Sequence, residues 1–176
     1  VLDLCAAPGG KTMQLAMAMK DQGRIIASDS SPRRLKKVEE NCRRLGIACV
    51  QCAEPEGIKD ALGGKNKVQT VLLDVPCSNT GVLARRAEVR WRLRPESVTD
   101  IVLTQKELLE KAAGFVRKHG TLVYSTCSIL PDENENLVRA FLGSHPAFRL
   151  EKEEFTLPAR ESEGRFGHDG GYVAIL

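Results

Sequence analysis

Short apolar runs alternate with longer amphipathic stretches along this chain, and the alternation predicts strands and helices in turn. Residues 1–4, Val-Leu-Asp-Leu, read as a short strand, and 11–20 can wind into a helix. Ile25 and Ile26 mark a second strand over 24–28. Pro32 suits the first turn of a helix over 32–45, with Ser30 or Ser31 as its cap and Gly46 as its stop. A third strand is expected at 47–51. The stretch 54–69 is weakly patterned and carries Pro55, Gly57, Gly63 and Gly64, which predicts a short helix and loops. Val71, Leu72 and Leu73 stand in succession within 70–74, the mark of a strand buried on both faces of a parallel sheet. Over 99–118, Ile101, Leu108, Leu109, Ala112 and Val116 recur at near-helical spacing with polar residues opposite. Gly120 ends that helix and a strand resumes at 121–125. A helix is expected at 133–142, with strands near 147–150 and 172–176.

This repetition predicts an open α/β sheet with helices on both sides. Such sheets bind ligands beyond the carboxyl ends of their parallel strands. The chemically unusual residues fall at those ends: 5–12, Asp29, 74–81 and 125–128. Their convergence says more than any one motif.

Composition narrows the class. The chain has 176 residues, 42% hydrophobic and 28% charged, which suits one core and excludes a wholly disordered chain. A net charge of +3 is too small to establish a polyanion partner by itself. No apolar run approaches the ~20 residues that span a bilayer, so no membrane partner is expected. The chain opens at Val1 with no initiator methionine and no leader, and reads as a fragment entered at a core strand. Six cysteines in a core of this size call for no disulfide framework, and a reduced, cytoplasmic protein is expected.

The first crossover, Cys5-Ala6-Ala7-Pro8-Gly9-Gly10-Lys11-Thr12, lets backbone approach a ligand at a helix terminus, or is merely a tight turn. A phosphate loop would need glycine at residue 5, which is cysteine, and Gly-x-Gly-x-x-Gly is absent. Asp29 can accept ribose hydroxyls at the end of the second strand, or cap the helix that follows. Asp3 can brace the loop. A pocket with carboxylates and no phosphate glycines fits a cationic nucleoside such as S-adenosylmethionine. Lys11 faces either the reacting group or solvent.

Cys77 in Asp74-Val-Pro-Cys-Ser-Asn-Thr-Gly81 and Cys127 in Ser125-Thr-Cys-Ser128 each follow a strand. Two free cysteines at neighbouring strand ends suggest thiol chemistry, although buried core thiols and a disulfide are alternatives. Cys49-x-x-Cys52 has metal-like spacing, but residues three apart on a strand point to opposite faces and no second pair completes a set. No metal site is expected. Arg85, Arg86, Arg90, Arg92 and Arg94 surround Trp91, opposed only by Glu88. The arginines can hold RNA phosphates and Trp91 can stack on a base, or the tryptophan packs down a charged connection. The basic residues of 32–45 alternate with Glu39 and Glu40 and read better as a solvated helix face.

These motifs closely resemble the RNA cytosine-5 methyltransferases of the Sun/Nol1/Nop2 family, particularly the bacterial small-subunit ribosomal RNA enzymes. The matching segments are 1–12, 74–81 and Tyr124-Ser-Thr-Cys-Ser128, with Pro131-Asp-Glu-Asn-Glu135 and Asp169-Gly-Gly-Tyr172. The two-cysteine pattern separates the family from DNA cytosine methyltransferases. The resemblance implies a Rossmann-like seven-stranded α/β sheet, mostly parallel with the last strand antiparallel. It implies one catalytic domain over 1–176, with RNA-recognition elements ahead of it in the full protein. It places S-adenosylmethionine at 5–11, Asp29 and Asp74, makes Cys127 the nucleophile, and gives Cys77 the release step. Asp74 would bind the polar edge of cytosine with Lys11 nearby, and RNA, ribosomal RNA in particular, would be the partner. The family usually has Asp after the third strand to contact adenine. This chain has Cys52-Ala53-Glu54, so Glu54 is the candidate there. Asn79 replaces a usual glycine.

Overall fold

The computed structural model describes residues 1–160 and 167–176. Seven strands form one sheet in the order β3-β2-β1-β4-β5-β7-β6. They are β1 (Leu2–Asp3), β2 (Ile25–Ala27), β3 (Val50–Cys52), β4 (Val68–Asp74), β5 (Val116–Thr126), β6 (Lys152–Thr156) and β7 (Gly171–Ile175). β1 pairs in parallel with β2 and β4, and β2 with β3. β7 runs antiparallel to both of its neighbours, as expected of the last strand. The helices are α1 (Gly10–Ala18), α2 (Pro32–Leu45), α3 (Ile58–Ala61), α4 (Val89–Arg92), α5 (Pro95–Phe115) and α6 (Glu135–Ser144).

By contact density the chain divides into two compact units. The first comprises Val1–Asp74 and Ala112–Leu122. Its core gathers Ala6, Ala7, Met13, Ala27, Leu35 and Val38, which ties the crossover after β1 to α1 and α2. α2 spans 32–45 as its pattern predicts: Pro32 opens it, the Ser31 hydroxyl accepts from the Arg34 N–H, and Gly46 ends it. The second unit comprises Val75–Lys111 and Val123–Leu176. Leu109 and Tyr124 are fully buried in it, with Leu137, Val138 and Phe141 of α6 also buried.

Four sequence expectations shift. The third strand starts at Val50 instead of residue 47, because the Asp21 carboxylate accepts the Ala48 and Cys49 N–H groups at 3.0 and 2.8 Å and holds that stretch as a loop. The long helix begins at Pro95, four residues early, where Pro95 occupies the first turn and the Arg94 N–H donates to Ser97 Oγ. It also stops at Phe115, short of Lys118, and β5 follows directly. The strand expected at 147–150 lies instead at 152–156, where Lys152, Glu153 and Glu154 hide an edge strand behind a polar sequence. Among the described residues no helix is long and apolar enough to cross a membrane.

Candidate active site

Within the first unit, the turn after β1 frames a cavity of about 330 Å³. Asp3, Cys5, Ala6, Ala7, Pro8, Gly10, Lys11 and Asp74 line it together with Gln14, a residue the sequence did not single out. Gly9 turns the chain at φ 108°, a left-handed conformation that side chains rarely adopt, and α1 starts at the next residue. Lys11 Nζ reaches Asp74 Oδ2 at 2.7 Å, so the helix start and the end of β4 are joined across the cavity. The Cys5 thiol is pushed up to about 12 by burial and by Asp29, Asp3 and Asp74, which leaves it protonated and unreactive.

Asp3 is buried, and Thr12 Oγ1 donates to its Oδ2 at 2.7 Å. Its Oδ1 has no hydrogen-bond partner among the described residues. Burial raises this carboxyl to about 6, with the Thr12 hydroxyl pulling the other way. A buried acceptor without a donor, in the wall of a ligand-sized cavity, fits a ligand that brings an N–H or ammonium group. S-adenosylmethionine carries one.

Asp29 stands behind the loop. Its Oδ2 accepts the Ala7 N–H at 3.2 Å and its Oδ1 accepts the Ser31 N–H at 3.0 Å, while Arg34 donates to the Ala7 carbonyl at 2.6 Å. Thus Asp29 shapes the glycine turn and the entry to α2 together. Glu54 is exposed just past β3 and is not part of the cavity wall.

Within the second unit, Cys77 and Cys127 come together with Sγ–Sγ 3.0 Å apart. The two loops follow β4 and β5, the strand ends at which the sequence places these cysteines. The Cys77 thiol is driven far above its ordinary range, first by its hydrogen bond to Cys127 and then by burial. The loops carrying the thiols are packed at close range. The Gly81 N–H donates to the Cys127 carbonyl at 2.9 Å and the Gly170 N–H to the Gly81 carbonyl at 2.8 Å. A Cβ on Gly81 would collide with the Gly170 carbonyl and lie 2.8 Å from the Cys127 carbonyl, so only glycine fits.

The brace of both loops is Glu133, within Pro131-Asp-Glu-Asn-Glu135, to which the sequence alone assigns no role. It is fully buried. Its Oε2 accepts the Ser78 N–H and Gln105 Nε2, both at 2.8 Å, and its Oε1 accepts Ser128 Oγ at 2.6 Å. Asn134 accepts Thr126 Oγ1 at 2.6 Å and donates to the Ser128 carbonyl at 2.9 Å. One signal was present: Gln105 falls on the apolar stripe of α5, four residues after Ile101 and before Leu109. A lone amide there needs buried partners.

A second cavity, about 280 Å³, lies beside Cys77, lined by Asn79, Arg86, Glu88, Arg92 and Ile101 among others. Arg85, Arg86, Arg90, Arg92 and Arg94 are all exposed, and Arg85 Nε pairs with Asp169 at 3.0 Å. Trp91 is 86% exposed, which removes the reading in which it packs the connection down. Cys49 packs with Ala16 and Ile25, whereas Cys52 packs with the cluster around Leu35 and Val38. Among the described residues no group of three or more His, Cys, Asp or Glu is placed to hold a metal ion.

The strand order, the antiparallel β7 and the glycine turn beneath a carboxylate-lined cavity define a Rossmann-like methyltransferase fold. More narrowly, the chain belongs to the family described as 16S rRNA methyltransferase RsmB/F, which matches residues 1–168. It is 41% identical over 162 residues to the probable ribosomal RNA small subunit methyltransferase B of Synechocystis, covering 90% of this chain and 36% of that protein. It is 38% identical over 178 residues to ribosomal RNA small subunit methyltransferase B of Vibrio vulnificus, covering 100% of this chain and 41% of the relative. The chain therefore spans about two fifths of the length of these curated relatives. Among solved structures, NSun6 from Pyrococcus horikoshii with SFG superposes with a TM-score of 0.79 at 33% identity, over 99% of this chain and 46% of that one.

Proposed function

We propose that the protein containing this chain transfers a methyl group from S-adenosylmethionine to C5 of cytosine in RNA, with ribosomal RNA as its substrate. The observation that carries this reading is the pair of thiols from two separate loops, 3.0 Å apart, in a chain of this family. Residues 1–176 are its catalytic domain, and RNA-recognition elements lie elsewhere in the longer protein. We infer a cytoplasmic location, in keeping with the bacterial ribosomal RNA methyltransferases that the chain is similar to.

Cytosine C5 is too weak a nucleophile to take a methyl group unaided. Cys127 gives its proton up to water and adds to C6 as the thiolate: an S–C6 bond forms and the C5–C6 π electrons move onto C5. Asp74, held by Lys11, hydrogen-bonds the polar edge of the ring and favours that charge flow. S-adenosylmethionine, held by the residues of the cavity, would supply an electrophilic methyl on a cationic sulfur to the electron pair on C5 and leave as the neutral thioether. Loss of the C5 proton to water then restores the double bond and expels Cys127 as a thiolate, which the Cys77 Sγ–H, 3.0 Å away, supports. A base within a duplex would have to leave its stack first. Arg86 and Arg92, on the wall of the cavity beside Cys77, are suited to the flanking phosphates, and exposed Trp91 to a base. Arg85, Arg90 and Arg94 extend this basic surface.

The direct test is methyl transfer by the full-length protein to unmodified ribosomal RNA, followed by nucleoside analysis. 5-Methylcytosine is expected; methylation confined to another base, or none with bound cofactor, would overturn the reading.

For the cofactor, residues 5–11 and Asp74 supply the loop and methionyl contacts of this proposal, while Asp29 and Glu54, outside the cavity wall just past β2 and β3, are the carboxylates a bound ribose and adenine would have to reach. Asp3 adds a pH dependence. Its carboxyl is protonated below about 6 and ionised above it, and only the ionised form attracts a cationic ligand. Calorimetry should therefore show S-adenosylmethionine affinity rising as pH increases through about 6. Asp3→Asn should flatten that rise, and Asp29→Ala should weaken binding at every pH by loosening the loop. A rise that persists in Asp3→Asn would remove Asp3 from the site.

A further inference from the structure

Asn79 stands at a position where the resemblance leads one to expect glycine, and it touches the nucleophile. Its backbone is left-handed, φ 62° and ψ 24°, a conformation Asn tolerates better than most residues. Nδ2 donates to the Cys77 carbonyl at 2.8 Å. A carbonyl can only accept, so this contact settles which end of the carboxamide is which. Oδ1 is thereby turned to Cys127, whose Sγ–H donates to it at 3.3 Å. A thiol has one proton. With that proton directed at Asn79, the 3.0 Å contact between the sulfurs runs from the Cys77 Sγ–H to Cys127 Sγ. Cys77, Cys127 and Asn79 close a ring of three hydrogen bonds.

We propose that Asn79 is a positioning residue for Cys127, fixing the direction of its thiol and keeping the sulfur protonated in the resting enzyme. This rests on Cys127 being the nucleophile of the reaction above. A hydrogen bond accepted from a neutral thiol favours the neutral form, so the carboxamide opposes premature thiolate formation. Attack on C6 requires that bond to be given up and the Cys127 proton to pass to water, while the Cys77 Sγ–H remains to support the negative charge on Cys127 Sγ. Other ionisable groups around the pair are Cys77 itself, Glu133 behind Ser78 and Ser128, and buried Tyr124. Arg86, Glu88 and Arg92 line the cavity beside Cys77, and Asp74 precedes Cys77 by three residues in the chain. All are common to the variants compared below.

The test is the pH profile of Cys127 alkylation by iodoacetamide in the full-length protein, read by mass spectrometry of the Cys127 peptide. Asn79→Gly keeps the left-handed backbone and removes the acceptor. Its midpoint should fall, with alkylation about two- to fivefold faster below the midpoint, the scale of one modest hydrogen bond. Asn79→Asp keeps the volume and puts a carboxylate against the thiol, so its midpoint should rise. Loosened packing would admit water and raise the limiting rate at high pH together with any fall in the midpoint, so a midpoint that falls at an unchanged limiting rate is the mark of the lost acceptor. Midpoints unmoved, or moved in the same direction in both variants, overturn the proposal. 5-Methylcytosine formation by the unaltered protein is measured alongside. Its absence with opposed midpoint shifts would defeat the proposed function and leave the Asn79 contact standing; its presence with unmoved midpoints would do the reverse.

Discussion

Cys127→Ala should abolish methylation, by on the order of ten-thousand-fold or more, and leave no covalent protein–RNA adduct. Cys77→Ala should do the opposite on a denaturing gel: adduct accumulates while turnover slows. The asymmetry follows from the pair. The hydrogen bond to Cys127, reinforced by burial, keeps the Cys77 thiol protonated far above its ordinary range, which makes Cys77 a poor attacking group. Cys127 has the thiol of Cys77 at 3.0 Å to stabilise a thiolate, and once bonded to C6 it needs that neighbour to leave again. Labelled unmodified RNA, cofactor and full-length protein suffice for the measurement. Adduct from Cys127→Ala and none from Cys77→Ala would exchange the two roles.

Much of this arrangement was legible because it lies on strands and turns with strong local signals. Three successive apolar residues in β4, Pro32 and Gly46 around α2, and the turn after β1 each announce themselves within a few residues. Cys77 and Cys127 were legible as a pair because each directly follows a buried strand, and strand ends converge in an α/β sheet. What stayed hidden depends on partners distant in sequence. Asp21 shortens β3 through two backbone N–H groups 27 and 28 residues away. The charged β6 shows no alternation that would reveal an edge strand. Asp29 reads as a ligand carboxylate or a cap, and the structure adds a third task, holding the Ala7 N–H of the loop itself. Gln105 and Glu133 looked like ordinary polar residues until α5 and the turn after β5 brought them together.

Glu133 carries the largest stability effect expected in the second unit. Its two oxygens receive the Ser78 N–H, Gln105 Nε2 and Ser128 Oγ, so one side chain ties the Cys77 loop, the Cys127 loop and α5 together. Glu133→Ala strands the Ser78 N–H and a Gln105 N–H, each costing about 1–3 kcal/mol when unpaired, while the Ser128 hydroxyl can turn to Ser78 Oγ or Thr80 Oγ1 at 3.1 and 3.0 Å, so a loss of about 3–5 kcal/mol is expected. Glu133→Gln separates charge from shape. Its Oε1 can still accept from Ser78 and Gln105, and its Nε2 can donate to Ser128 Oγ, so only about 1–2 kcal/mol should be lost. Urea denaturation of the full-length protein, followed by the transition of this domain, measures both. The same ranking should hold for catalysis, with kcat falling more than KM rises, because Ser78 and Ser128 sit next to the two cysteines in the chain and the cofactor cavity lies in the other unit. An Ala variant within about 0.5 kcal/mol of the unaltered protein, the spread of an ordinary surface change, would mean that the donors find other partners and that Glu133 holds nothing in place.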